Sequence, residues 1–378
     1  MKGNLGILKK KIISLGIVIS IIIATTLVSC SKGIDGDFVE DYKGYYNAIK
    51  DGLYNYDSTI VINVKNFDES VYNSDVVNKV LEDNIELIGS FDNYTFRSKR
   101  LISTSEIKLE FKYHDSKETL VSREDAVQKK VEDIVSEVIK PEMKDYEKEK
   151  ALHDYVINNC KFDQRYYSGD MPKESYTVYG VLVNGIGVCQ GYAIAMDKLL
   201  KAVGIETTII TGEALNNDGD GYIKHAWNIV EIGGENYHLD LTWDDPIMVD
   251  GGDKLRYSYF NITDEQIELN HKWDKNRFPQ CTNTKYSFNN LNLVEKDEKG
   301  NDIVVVKDYN EFYSNIREDL SKKRKDKTYK IINFDGKENS IEVSINRAYE
   351  SLSKSGEYSY AIETDEMTKC GYITVSLK

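Results

Sequence analysis

The stretch VYGVLVNGIGVCQGYAIAMDKLLKAVGIETTIITG, residues 178–212, decides how the rest of the chain is read. Its second half is helical by pattern. Tyr192, Ala195, Met196, Leu199, Leu200 and Val203 recur at helical spacing, and Gly204 supplies the stop. Cys189 therefore stands at or beside a helix N-terminus. Unpaired backbone N–H groups and the helix dipole favour a thiolate there, and the same groups can hold a developing oxyanion. Gly180, Gly185 and Gly187 read as a flexible approach to the cysteine.

Further along, KHAWNIVEIGGENYHLDLTWDDP (224–246) alternates apolar and polar residues on either side of Gly233-Gly234, the pattern of a β-hairpin. A two-residue turn pairs His225 with Thr242 and Trp227 with Asp240. His225 and Asp240 then share one face of the ribbon as diagonal neighbours, within side-chain reach. A slip of one residue would separate them. His238 and Asp244 fall on the same face, so the face alone selects neither one histidine nor one acid.

A thiol becomes a strong nucleophile when a histidine takes its proton, and that histidine needs a third group to fix its tautomer and steady the imidazolium. Cys189, His225 and Asp240 supply nucleophile, base and orienter. Each alone has a bland reading, since a lone cysteine before a helix is commonly a small core residue. Together they suit acyl transfer. Beyond Cys30 near the start of the chain, the other cysteines, Cys160, Cys281 and Cys370, form no Cys-x-x-Cys pair, so neither a zinc ribbon nor a disulfide framework is expected.

Gly-Val-Cys-Gln-Gly-Tyr-Ala (187–193), His-Ala-Trp-Asn (225–228) and Leu-Asp-Leu-Thr-Trp-Asp-Asp-Pro (239–246) resemble the three motifs of the bacterial transglutaminase-like superfamily. RYSYFNITDEQ (256–266), HKW (271–273) and FPQC (278–281) resemble the closing segment of the same proteins. The resemblance implies a papain-like α/β core, with the cysteine on a helix and the histidine and aspartate on neighbouring strands. It also chooses His225 over His238. Catalysis would need no cofactor and no metal. The acyl-enzyme could be resolved by water, as in a peptidase or amidase, or by an amine, as in a protein-crosslinking transglutaminase. Hydrolysis is the favoured reading, with a peptide, protein or cell-wall peptide as substrate. A non-catalytic surface scaffold is the rival from another class. Tyr179 and Asn184, just upstream of the nucleophile, are the candidates for an oxyanion side chain.

On either side of this core the order helix, strand, helix, strand, strand occurs twice. DNYTFRS (92–98) echoes GEYSYAIE (356–363), and EIKLEFKY (106–113) echoes GYITVSLK (371–378). The expected organisation is an N-terminal α/β lobe at 42–140, the catalytic core at 141–283 and a C-terminal α/β lobe at 284–378.

The chain opens differently. Lys2 and Lys9-Lys10-Lys11 precede an apolar run from Ile12 to Val28, which ends in Leu27-Val28-Ser29-Cys30. This resembles a bacterial lipoprotein leader with its lipobox: residues 1–29 would be removed, Cys30 would carry the lipid, and 30–41 would be a tether. The expected location is the extracytoplasmic face of the bacterial membrane. Composition agrees with an anchor doing the membrane work. The 49 Lys and Arg against 63 Asp and Glu give a formal charge of −14 over 378 residues, which anionic lipid repels. The same excess argues against nucleic acid as a partner. A 40% hydrophobic content suffices for a packed core, and 27 tyrosines against 4 prolines suit a sheet-containing protein.

Overall fold

The computed structural model describes residues 38–100, 104–216, 221–245, 255–291, 295, 297, 301–324, 326–332, 334–352, 356–365 and 370–377. The expected leader at 1–29 and its Cys30 lie outside them. Among the described residues, no helix is long and apolar enough to cross a membrane.

The first elements are α1 (Tyr42–Tyr54), β1 (Thr59–Lys65), α2 (Asp75–Asp83), β2 (Phe91–Arg100) and β3 (Thr104–Tyr113). Their strands form an antiparallel sheet in the order β1-β3-β2. Period-two alternation turns Ile62, Val64, Ile107, Leu109 and Phe111 toward one face, where α1 supplies Tyr45, Ile49 and Leu53, and α2 supplies Val76, Val77 and Val80.

The centre runs α3 (Lys117–Val138), α4 (Asp145–Asn159), β4 (Lys161–Phe162), α5 (Val178–Leu182), β5 (Ile186–Gly187), α6 (Cys189–Ala202), β6 (Thr207–Leu215), β7 (Tyr222–Ile232), β8 (Glu235–Leu239), β9 (Phe260–Ile262), α7 (Asp264–Ile267) and β10 (His271–Lys272). Five strands make one sheet, ordered β10-β6-β7-β8-β9. Helix α6 lies on it with Tyr192, Ala195, Met196, Leu199 and Leu200 buried, the face anticipated from spacing. Val127, Val131 and Ile134 of α3 enter the same central cluster. The boundary expected at 140/141 therefore falls too late in packing terms, because α3 buries its apolar stripe on the core.

The last elements are α8 (Phe288–Leu291), β11 (Val304–Val306), α9 (Tyr309–Ser321), β12 (Asp326–Ile331), α10 (Glu338–Ser351), β13 (Tyr358–Asp365) and β14 (Cys370–Leu377). The sheet order is β11-β12-β14-β13. Setting β11 aside, the three remaining strands repeat the first lobe's order, with the last strand in the middle and a helix between the first two. The lobes differ on the sheet face away from their helices. Val61, exposed, lies on that face in the first lobe. In the last lobe Tyr372 lies under the Arg256 guanidinium, 3.8 Å from the ring centroid, and Lys330 bonds Glu295 at 3.1 Å.

The β7–β8 hairpin has the expected register. Asn228 pairs with Leu239, Ile229 with His238 and Ile232 with Glu235, around Gly233 and Gly234 at φ 63° and 82°. The ladder stops at Leu239, so the expected pairs His225–Thr242 and Trp227–Asp240 do not form. Asp240 instead starts a turn, its carboxylate accepting from the backbone N–H groups of Thr242 (3.0 Å) and Trp243 (3.3 Å). The glycines before Cys189 also act differently from expectation. A Cβ on Gly180 would stand 2.1 Å from the Glu174 carbonyl oxygen, and one on Gly187 would stand 2.4 Å from Val181 Cγ2. They permit close packing beneath α6, and a packed approach holds the cysteine more firmly than a flexible one.

Candidate active site

Cys189 is the first residue of α6, after an extended Val188 at φ −120° and ψ 176°. Val188 N–H donates to Ser175 O at 2.9 Å, which ties the approach to the segment before α5. Helical geometry leaves the first-turn N–H groups without intrahelical acceptors, so the helix presents donors where the sulfur stands. Cys189 is half-buried, whereas Cys160, Cys281 and Cys370 are buried, and none of the four is in a disulfide.

His225 comes from β7, opposite Gly212 of β6. Its Nε2–H donates to Asp240 Oδ2 at 2.6 Å, and both residues are buried. Its other side meets the Cys189 thiol, with which it shares a hydrogen bond and a charge interaction. The three residues singled out in the sequence are therefore together. Burial by itself would lower the pKa of His225. The charges of Asp240 and Cys189 and the hydrogen bonds to both outweigh it, and raise the value from 6.5 to about 10. Burial would raise that of Asp240, but the His225 charge and the hydrogen bonds from His225 and His271 hold its carboxyl well below the usual range. The pair can thus stay charged, imidazolium against carboxylate, at neutral pH.

Asp240 is held on both oxygens. Oδ1 accepts from the Thr242 hydroxyl at 2.6 Å and from the two backbone groups of its turn, while Oδ2 also accepts from His271 Nε2–H at 3.1 Å. The alternatives on the same hairpin face have other partners. His238 Nδ1 accepts from Trp227 Nε1–H (3.0 Å) and its Nε2–H donates to Asp264 (2.8 Å). Asp244 Oδ2 accepts from His153 (3.1 Å) and Oδ1 from the Tyr259 backbone (2.8 Å). These residues support the site from behind. The Trp227 ring that His238 holds lies nearly parallel to the His225 ring, with centroids 5.8 Å apart.

Among the described residues, two groups have the composition of a cation site, the buried His225–Asp240–His271 and the partly buried His238–Asp264–Cys281, with ligand atoms within 4.8 Å of one another. In the second, Trp227 occupies the His238 Nδ1 lone pair, so Nε2 carries the proton and has none to offer a metal. In the first, both Nε2 atoms donate to Asp240. The geometry is that of two hydrogen-bonded networks.

Cys189 and His225 open into a cleft of about 310 Å³ lined by Phe162, Tyr166 and Tyr167 with Leu215, Ile223 and Trp243. The Tyr166 and Tyr176 phenols both feel the Cys189 charge. Neither was singled out in the sequence. Tyr179 and Asn184 were, and neither lines this cleft. Tyr179 lies under the Arg123 guanidinium, 5.4 Å away, in a separate cavity with Tyr54, Glu86 and Asp197, and Asn184 lines another with Asn159 and Lys130. The short helix α5 carries them away from the sulfur despite their nearness in sequence. The signal that could have pointed to the right stretch is the aromatic cluster FDQRYY at 162–167.

Residues 132–241 match the transglutaminase-like superfamily. No curated protein matches the chain. Among solved structures, a TGase shares 14% identity at a TM-score of 0.27, over 54% of this chain and 59% of its own. A candidate cysteine protease from Cytophaga hutchinsonii shares 16% at 0.26, over 40% of this chain and 62% of its own. A candidate protease from Parabacteroides distasonis shares 10% at 0.24, over 85% and 66%. The chain thus spans about three fifths of the length of the first two.

The charge balance at His225 is open to measurement. A histidine whose pKa is raised on folding contributes stability that is complete below its unfolded value near 6.5, and loses it as pH rises through about 10. In NMR titrations His225 should lose its proton near pH 10, and at a lower pH in Cys189→Ala, which removes one of the charges that raise it. An unchanged midpoint in that variant would mean that the thiol and the imidazole do not interact.

Proposed function

We propose, from the match of residues 132–241 to the transglutaminase-like superfamily, that the protein is a cysteine-dependent hydrolase of peptide amides, a peptidase or amidase. The observation that carries this reading is the contact of Cys189 with a buried His225 that Asp240 holds at 2.6 Å. A scaffold has no use for a charged imidazole kept buried beside a half-exposed thiol.

The Cys189 thiolate attacks the amide carbonyl carbon, and the oxygen takes the negative charge. Backbone N–H groups at the start of α6 stabilise it. We assign the second donor to Tyr166, which lines the cleft and whose pKa is raised by burial and by the Cys189 charge, so that its phenol keeps its proton. His225 gives its proton to the departing amine as the C–N bond breaks, leaving a thioester. Neutral His225 then takes a proton from water, the hydroxide adds to the thioester, and the thiolate leaves as the carboxylic acid forms.

Hydrolysis is favoured over transamidation by the openness of the cleft, at whose rim Tyr167 is 59% exposed. An amine must compete with water that is far more concentrated, so crosslinking calls for an acceptor route that excludes water. We further infer that Cys30 carries a lipid and holds the enzyme on the extracytoplasmic face of the membrane, where peptides, proteins and cell-wall peptide stems are within reach. The leader pattern before Cys30 supports this.

Incubation with a peptide library, with and without a primary amine, should give Cys189-dependent cleavage in both conditions. Tyr166→Phe should lower kcat by roughly 100-fold with little change in KM. Amine adducts in place of cleavage would assign a transglutaminase, and neither product would leave the scaffold reading.

Cys30→Ala should release the protein from membranes or block its processing. Unchanged partition with an unchanged N-terminus would instead mean a plain apolar anchor.

A further inference from the structure

His271 lies beyond the matched stretch, on a strand of two residues at the edge of the central sheet. Strand β6 separates it from β7, yet its ring reaches the carboxylate that His225 uses. The β10 backbone and the Trp227 ring both close in on β6 because β6 has a glycine there. A Cβ on Gly212 would meet the Lys272 carbonyl oxygen at 2.3 Å and the Trp227 ring at 2.8 Å. Resting on the catalytic reading above, we propose that His271 is a positioning residue, a buried donor that fixes Asp240 against His225.

Three observations support it. His271 Nε2 donates to Oδ2, the oxygen that His225 also uses, while Thr242 and Trp243 hold Oδ1. With donors on both oxygens, the carboxylate cannot turn about its Cβ–Cγ bond without losing a partner. Second, His271 is fully buried in an aromatic cage, with ring centroids 5.0 Å from Trp227, 4.8 Å from Trp243 and 5.2 Å from His225. It has no route to a substrate and can act only through Asp240. On its far side His271 Nδ1–H donates to Asn270 Oδ1 at 2.6 Å, and the Asn270 Nδ2–H donates in turn to the Tyr259 hydroxyl at 2.6 Å, which orients the ring.

Third, the choice of residue fits the task. Burial lowers the pKa of His271, and the nearby His225 charge lowers it further, against the pull of Asp240. Lysine or arginine at this place would compete with the His225 imidazolium for the same carboxylate and oppose the charge that the thiolate needs.

The test compares His271→Phe, which keeps a ring and loses the donor, with His271→Gln, whose side-chain N–H can replace it. Two quantities are read in the full chain: kcat and KM on a cleaved peptide, and the NMR signal of the His225 Nε2 proton, which needs no substrate. His271→Phe should lower kcat by about 10–100-fold with KM little changed, and its His225 proton should exchange with water fast enough to weaken the signal. His271→Gln should retain both. If His271→Phe does not fold, His271→Asn, too short to reach Asp240, takes its place. A folded His271→Phe with wild-type kcat and proton signal overturns the proposal. Equal losses in the Phe and Gln variants also overturn it, since they would mean a packing role alone. Failure of the catalytic reading looks different: turnover by Cys189→Ala would reject that reading, and the proton signal would still test the link from His271 to Asp240.

Discussion

The buried hydrogen bond between His225 and Asp240 is the interaction on which the rest of the site depends. A carboxylate taken out of water is costly unless it is paired and fully hydrogen-bonded. The chain meets that cost with two imidazoles, a hydroxyl and two backbone groups on the single Asp240 carboxylate. The result is a fixed negative charge that keeps His225 protonated beside the thiol. Without it, burial would drive His225 to its neutral form.

Much of the surrounding architecture follows from that need for a fixed geometry. Trp227 lies against the His225 ring and is held by His238, His238 is held by Asp264, and the Asp264 backbone N–H donates to the Cys281 carbonyl at 2.7 Å. The turn that begins at Asp240 is secured farther along, where Asp244 receives His153, and Asp245 receives the Tyr192 hydroxyl at 2.7 Å from the same helix that starts at Cys189. Helix α6 is thus tied to the acid's turn by a side chain three residues after the nucleophile. Coupled networks of this kind respond to single substitutions more than their separate bonds would suggest.

The sequence was most legible where periodicity and motif agreed. The apolar face of α6, the start of that helix at Cys189, and the hairpin register through Asn228–Leu239 were all readable from spacing. The repeated lobe order was readable for the same reason, because two-residue alternation marks β1, β3 and β14 plainly. Legibility ended where a residue's neighbours come from distant segments. Asp240 leaves the ladder because its own carboxylate offers the backbone a turn, a competition that the hairpin pattern does not encode. Tyr179 and Asn184 were near Cys189 along the chain but not in space, whereas Tyr166 arrives from a separate turn. His271 sits on two residues of strand, too short for any period to register. Helix α3 was readable and missed: Leu120, Val127, Val131 and Ile134 mark a buried stripe along it. The glycines before Cys189 carried the wrong inference, since close packing and flexibility use the same residue.

The central claim is that His225, held by Asp240, activates Cys189. Iodoacetamide modification of Cys160, Cys189, Cys281 and Cys370, followed residue by residue by mass spectrometry across pH, tests it without any substrate. Cys160, Cys281 and Cys370 are buried and should be slow for that reason alone, so the informative comparison is Cys189 with itself. Cys189 in the wild-type protein should react much faster at pH 6–7 than in His225→Ala, with Asp240→Asn between them. Equal Cys189 rates in the wild-type protein and in a folded His225→Ala variant would contradict the account.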